Sequence, residues 1–266
     1  VLSGRLAVLR DVTERKESEV ELARARDDAL EASRLSTELL SKVSHELRTP
    51  LSIILEFSEM LHIGAYGPLT REQFDVLNEI LGATHNLSEL VNELLEQAQL
   101  DAGTARLDLS QFRLGELLDG PLTRLQNLAQ AKGLHLTTRV DDNLPAFVIG
   151  DRNRLEQILI NLVGNAIKYT SMGSVQVGFL RPGPGHWALQ VRDTGMGVPP
   201  EAQSYIFEAF RQVDGSTTRQ HGGVGLGLSN VKQFTGLMGG RIELESAPGQ
   251  GSTFTVTFPI QPSQHN

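Results

Sequence analysis

Lys42-Val43-Ser44-His45-Glu46-Leu47-Arg48-Thr49-Pro50-Leu51 sets an imidazole beside a carboxylate within a long amphipathic pattern. Imidazoles are nucleophilic near neutral pH because their reference pKa is about 6.5. One ring nitrogen can attack while the other keeps its proton, and a neighbouring carboxylate can hold that N–H and steady the developing charge. Thr49 follows His45 by four residues, which on a helix puts its hydroxyl one turn away on the same face. Pro50 removes one helical N–H and is expected to bend the helix just past that point.

Outward from this stretch, residues 14–62 read as one helix. Leu22, Ala25, Ala29, Ala32, Ser36, Leu39 and Val43 alternate by three and four, the seam of a two-stranded coiled coil over 14–40. Periodicity alone fits an ordinary core helix equally well. His45 falls off this seam, toward solvent. Gly64 and Gly67-Pro68 break the pattern, and Thr70-Arg71-Glu72-Gln73 is a capping box that opens a second helix to about Asp101, ended by Gly103. Its apolar face carries Phe74, Leu77, Ile80, Leu81, Leu87, Leu90, Val91, Leu94 and Leu95. Two helices cannot bury such a face alone, so the hairpin predicts a homodimer with a four-helix bundle. His62 and His85 are expected to be structural or solvated.

The 266 residues allow two domains with real cores. A net charge of −8 argues against nucleic-acid binding. The absence of Cys excludes disulfides and thiolate metal sites and fits a reducing cytoplasm. No apolar run approaches the roughly 20 residues a bilayer span needs. Residues 1–13 contain one short strand, expected to be the tail of something upstream.

From Ser110 the texture changes to short strands and helices. A helix is expected from Phe112 to Lys132-Gly133, a strand over Leu134–Val140, and a helix capped by Asp151. A hairpin of strands 174–181 and 186–193 and two further strands, 240–246 and 252–259, predict an α+β two-layer sandwich. On the Asp151–Thr170 helix, Asn161, Asn165 and Lys168 share one face, a stripe of two amides and one ammonium suited to Mg²⁺ and phosphate. Val191-Arg192-Asp193-Thr194-Gly195-Met196-Gly197 ends a strand in a glycine turn that lets a ligand approach the backbone closely. Gly222-Gly223-Val224-Gly225-Leu226-Gly227-Leu228 opens a helix whose N-terminal N–H groups favour phosphate.

The segment around His45 resembles the phosphoacceptor box of sensor histidine kinases. The Asp151, Asp193, Phe207 and Gly223 segments resemble, in order, the N, G1, F and G2 boxes of the GHKL (Bergerat) ATP-binding fold. Asp11-Val12-Thr13-Glu14-Arg15-Lys16 looks like the exit of a PAS-like sensor. The resemblance implies a tail of that sensor over 1–13, a dimerisation and phosphotransfer domain over 41–104, a catalytic ATP-binding domain over 110–260 and a tail over 261–266. It implies ATP and Mg²⁺ as cofactors. Asn165 would bind Mg²⁺ with Asn161 assisting, and Lys168 and Tyr169 would contact the nucleotide. Asp193 would accept the adenine amino group in the turn of Gly195 and Gly197. Gly223, Gly225, Leu226, Gly227 and Leu228 would meet phosphate, with Arg211 or Arg219 as the basic residue after the F box. The Phe residues of Ile206-Phe207-Glu208-Ala209-Phe210 and the turn 249–254 are expected to be structural, and 211–224 to be the lid. His45 would be the phosphoacceptor, Glu46 the general base, and Thr49 the residue that orients water for dephosphorylating a response-regulator receiver domain. Two other readings fit the same boxes: a signalling scaffold that binds ATP without catalysis, and a GHKL ATPase. Such ATPases use a carboxylate where this chain has Asn161, which favours phosphotransfer.

Overall fold

The computed structural model describes Val20, Arg24, Leu39, Leu40 and residues 42–212 and 225–260, apart from the side chain of Asp119. The chain divides between Ala105 and Arg106 into two compact units. Residues 1–13 and most of the expected coiled-coil seam lie outside the described residues; its members Leu39 and Val43 are exposed.

The first unit is a helical hairpin. Helix α1 (42–62) runs on through Pro50. Gly64 and Gly67 take the left-handed conformations that end it (φ 77° and 109°). Helix α2 (Arg71–Asp101) opens on the expected capping box: Thr70 Oγ1 accepts from the Gln73 N–H at 3.2 Å, and Gln73 Oε1 accepts from the Thr70 N–H at 3.0 Å. Such caps contribute about 1 kcal/mol. Gly103 (φ 63°) closes the helix by donating to Leu100 O. The hairpin buries Ser44, Leu51 and Ser58 on α1 and Leu77, Thr84 and Val91 on α2, each set spaced by seven. Arg48 binds Asn92 Oδ1 at 2.9 Å, and the His62 ring lies 4.7 Å from that of Phe74. His85 Nδ1 contacts Leu81 O at 2.8 Å, so both histidines have local structural contacts.

The second unit sets helices against a five-stranded sheet of order β2-β4-β5-β7-β6. Its strands are β2 (His135–Val140), β4 (Ser174–Gly183), β5 (His186–Asp193), β6 (Arg241–Ser246) and β7 (Ser252–Pro259). The β2–β4 pair is parallel and the other pairs antiparallel. Helices α4 (Pro121–Ala131), α5 (Arg152–Tyr169) and α7 (Gly227–Leu237) pack side by side, with α5 also against β4 and β5 and α7 against β6 and β7. Ile158, Leu159, Leu162 and Val163 of α5 meet Val175, Val177, Leu189, Val191 and Val256 in the core, all at most 1 % exposed. Short helices α3 (Glu116–Asp119) and α6 (Pro200–Gln203) complete the unit. Among the described residues no helix is long and apolar enough to cross a membrane.

The expected helix from Phe112 to Lys132 is corrected. Ser110–Phe112 is strand β1, paired antiparallel with β3 (Val148–Gly150), with Ser110 opposite Gly150 and Phe112 opposite Val148. Helicity follows only as α3 and α4, interrupted at Gly120-Pro121. Proline lacks an N–H and clashes with the preceding turn, so it starts a helix there. Tertiary pairing claims Phe112, the first residue of the expected helix, for a strand.

Candidate functional site

The site is built around the end of α5. Asp151 starts this helix by accepting the Arg154 N–H on Oδ1 at 3.1 Å, while Oδ2 accepts the Asp108 N–H at 2.9 Å. Asn161, Asn165 and Lys168 lie along one partly exposed face, as spaced, and Tyr169 is exposed beyond them. Lys168 Nζ stands 5.1 Å from the centre of the Tyr169 ring. The first residue of α7, Gly227, comes up to Asn161: a Cβ there would lie 3.1 Å from Asn161 Oδ1. The α5 stripe and the N-terminus of α7 thus share one place. Gly225 and Leu226 lead into that terminus and Leu228 follows in it, with Leu226 buried; Gly223 lies outside the described residues.

Asp193 ends β5 beside this helix end, 6 % exposed. Its Oδ1 accepts the Gly195 N–H at 2.8 Å and the Ser252 N–H at 3.2 Å. Burial pushes its carboxyl pKa up from the ordinary aspartate value, and the hydrogen bonds from Gly195 and Ser252 only partly offset this. A Cβ at Gly195 would lie 2.5 Å from Tyr169 O and 2.9 Å from both Asp193 Oδ1 and Thr170 Oγ1. Three oxygens therefore converge on a residue with no side chain. Thr170 is wholly buried and its hydroxyl has no hydrogen-bond partner among the described residues. Gly197 (φ 71°) presses against the Ala247 carbonyl, where any Cβ would collide.

The turn 249–254, expected to be structural, braces Asp193. Gly251 (φ 81°) packs on the Asp193 carbonyl with no room for a Cβ, and Ser252 holds the Asp193 carboxylate. The F-box segment is split. Phe207 packs edge-on against Phe254 at 6.3 Å, whereas Phe210 is 58 % exposed and adopts φ 63°, strained for a bulky residue. Only the first Phe plays the expected packing role. The Phe210 N–H donates to Gly225 O at 3.1 Å, which pins the residues flanking 213–224 to each other. Arg211 pairs with Glu208 at 3.2 Å and lies over the Tyr205 ring. Arg219 and most of the expected lid lie outside the described residues.

Sequence reasoning missed Lys132. Its ammonium donates to Ile167 O at 2.7 Å and Lys168 O at 2.8 Å, at the end of α5. A contact across 35 residues leaves no local signal in the sequence. A cavity of about 290 Å³ lined by Leu155, Trp187, Met238 and Phe258 among others includes none of the expected site residues.

In the first unit His45, Glu46 and Thr49 are all exposed on α1, and Thr49 Oγ1 donates to His45 O at 3.3 Å. The imidazole and the hydroxyl occupy successive turns of one solvent-facing surface. Among the described residues no cluster of three His, Cys, Asp or Glu could hold a metal.

Two family models match this chain. The His Kinase A (phospho-acceptor) domain covers residues 35–103, and the histidine kinase-, DNA gyrase B- and HSP90-like ATPase covers residues 150–262. Among curated relatives, the signal transduction histidine-protein kinase BarA of Escherichia coli (strain K12) is 41 % identical over 251 residues, 92 % of this chain and 27 % of BarA. The circadian input-output histidine kinase CikA of Synechococcus elongatus is 40 % identical over 260 residues, 95 % of this chain and 34 % of CikA. Among solved structures, full-length ShkA in complex with AMPPNP superposes with a TM-score of 0.72 at 34 % identity, covering 85 % of this chain and 46 % of ShkA. The chain thus spans about a third or less of the curated relatives it matches. With a phospho-acceptor hairpin followed by a GHKL-type ATPase sandwich, it belongs to the sensor histidine kinases.

Proposed function

We propose that the chain binds Mg-ATP on its second unit and transfers the γ-phosphoryl group to His45. The observation that carries the ATP reading is the meeting of the Asn161–Asn165–Lys168 stripe, the N-terminus of α7 and the buried Asp193. Asp193 accepts the adenine amino group, and Lys168 and Tyr169 flank the phosphates and base. Leu226, Gly227 and Leu228 bring free helix N–H groups to phosphate oxygens. Asn165 and Asn161 fit Mg²⁺: amide oxygens are hard ligands, and the nucleotide's own phosphates would supply the charge that two neutral amides do not. Bound Mg²⁺ offsets phosphate charge.

The neutral His45 ring nitrogen attacks the γ-phosphorus, the bond to the β–γ bridging oxygen breaks, and ADP leaves. Glu46 holds the opposite N–H and takes its proton as the phosphoramidate forms. An Asp of a response-regulator receiver domain then accepts the phosphoryl group, and Thr49 orients water in the reverse, dephosphorylating direction. Asn161 in place of a carboxylate favours this over ATP hydrolysis by water.

The functional unit is a homodimer. Leu47 and Ile54 on α1 and Ile80, Leu87 and Leu94 on α2 recur at seven-residue spacing, all at least 37 % exposed, beside the buried stripes. A second hairpin covers such a surface as a four-helix bundle. The chain works in the cytoplasm, downstream of a sensor. Incubation with Mg²⁺ and γ-labelled ATP is expected to give protein label that is acid-labile and alkali-stable; free phosphate without protein label would instead indicate an ATPase, and nucleotide binding without either a scaffold.

A further inference from the structure

An α-helix leaves its last four carbonyls without donors of its own, and buried carbonyls need partners. In α5 these belong to Ala166, Ile167, Lys168 and Tyr169. The Thr170 N–H reaches Ala166 O at 3.1 Å, and the Met196 N–H reaches Tyr169 O at 3.3 Å. Ile167 O and Lys168 O are both taken by one side chain, Lys132, at 2.7 and 2.8 Å. Lys132 is the C-cap residue of α4, partly buried, with its backbone N–H turned to Leu128 and Ala129 O. Its ammonium is thus directed onto α5, where two charge-assisted hydrogen bonds fix it. The end of α5 is stitched to α4 through Lys132 and to the Asp193 turn through Met196.

We propose that Lys132 is a positioning residue for the nucleotide, acting through Lys168 and Tyr169, whose backbone it clamps. This rests on the reading of α5 as the nucleotide helix. Two effects combine. The clamp fixes the peptide units from which the Lys168 and Tyr169 side chains leave, so their relative placement, 5.1 Å from ammonium to ring, is set before a ligand arrives. The C-terminus of a helix also carries roughly half a negative charge, which opposes a polyphosphate. A fixed ammonium at that end offsets it.

The test is calorimetric titration of the full chain with Mg-ATP in four forms: wild type, Lys132→Met, Lys168→Met and the double variant. Lys132→Met is expected to weaken ATP binding about tenfold, equivalent to about 1.4 kcal/mol. In the Lys168→Met background the same change is expected to cost less, about threefold, because one of the two side chains through which it acts is gone while Tyr169 and the helix end remain. Lys132→Arg keeps the charge and the donors and is expected to recover most of the affinity. Equal affinity of Lys132→Met and wild type, or the same tenfold loss in both backgrounds, overturns the proposal. Should Lys132→Met fail to fold, Lys132→Gln, which retains a donor without charge, carries the same expectation. A wild-type chain that binds no ATP would overturn the nucleotide reading itself.

Discussion

Replacing Asp193 by Asn separates what this residue does for the ligand from what it costs the fold. Asn keeps the shape and one carbonyl-type oxygen, so the Gly195 and Ser252 N–H groups, at 2.8 and 3.2 Å, retain their acceptor. The second oxygen becomes an NH₂ group, which faces the adenine amino group donor to donor. A hydrogen bond to a charged group is worth about 1.5–3 kcal/mol, so ATP affinity is expected to fall about 10- to 150-fold. Stability moves the other way. Burial raises the Asp193 pKa in the fold above its unfolded value. Its contribution is therefore fully present below the unfolded pKa and lost as pH rises through the folded one. At neutral pH the buried carboxylate is a burden, and Asn removes it. The unfolding midpoint of Asp193→Asn at pH 7 is expected to equal or exceed that of wild type. The advantage is expected to vanish at low pH, where Asp193 is protonated in both states. Thermal unfolding across pH, beside calorimetric ATP titration, reads both quantities. An Asp193→Asn protein less stable than wild type at pH 7, or one that binds ATP normally, would refute the reasoning.

Three further outcomes are expected. Gly197→Ala forces a side chain into φ 71° and against the Ala247 carbonyl, a backbone cost of about 1–3 kcal/mol; a lowered unfolding midpoint and a smaller ADP-induced shift check it. Leu87→Glu puts a charge in the exposed heptad stripe of α2 and is expected to turn a dimer into a monomer by sedimentation, while the second unit still binds ATP. Thr49→Ala is expected to abolish dephosphorylation of a phosphorylated receiver domain and spare autophosphorylation; equal loss of both would remove Thr49 from that role.

Much of the architecture was legible because periodicity and punctuation agree in this chain. Thr70-x-x-Gln73, Gly103 and Asp151 mark helix ends where the capping bonds form. Strands β4 to β7 alternate or run apolar as half-buried and buried strands do. The miss at Phe112 has a physical cause: three residues recruited into a ribbon by partners 36 to 40 positions away carry no local signal, since Ser110 answers to Gly150 and Phe112 to Val148. The site divides along the same line. Asn161, Asn165 and Lys168 were readable because helix geometry alone puts them on one face. The meeting of Asn161 with Gly227, the grip of Ser252 on Asp193 and the Lys132 clamp arise only when the sheet and helices close. The outward turn of Phe210, with its backbone at φ 63°, likewise has no signature in the residues around it.

The central claim is that His45 is the phosphoryl acceptor. After incubation with Mg-ATP, fragment mass spectrometry under alkaline conditions should locate one phosphoryl group on the peptide carrying His45-Glu46, as a phosphoramidate lost on mild acid treatment. His45→Gln, which keeps a polar exposed side chain on α1, should bind ATP as wild type does and carry no phosphoryl group. Phosphoryl label persisting in His45→Gln, or found on another residue of the wild-type chain, would contradict the account.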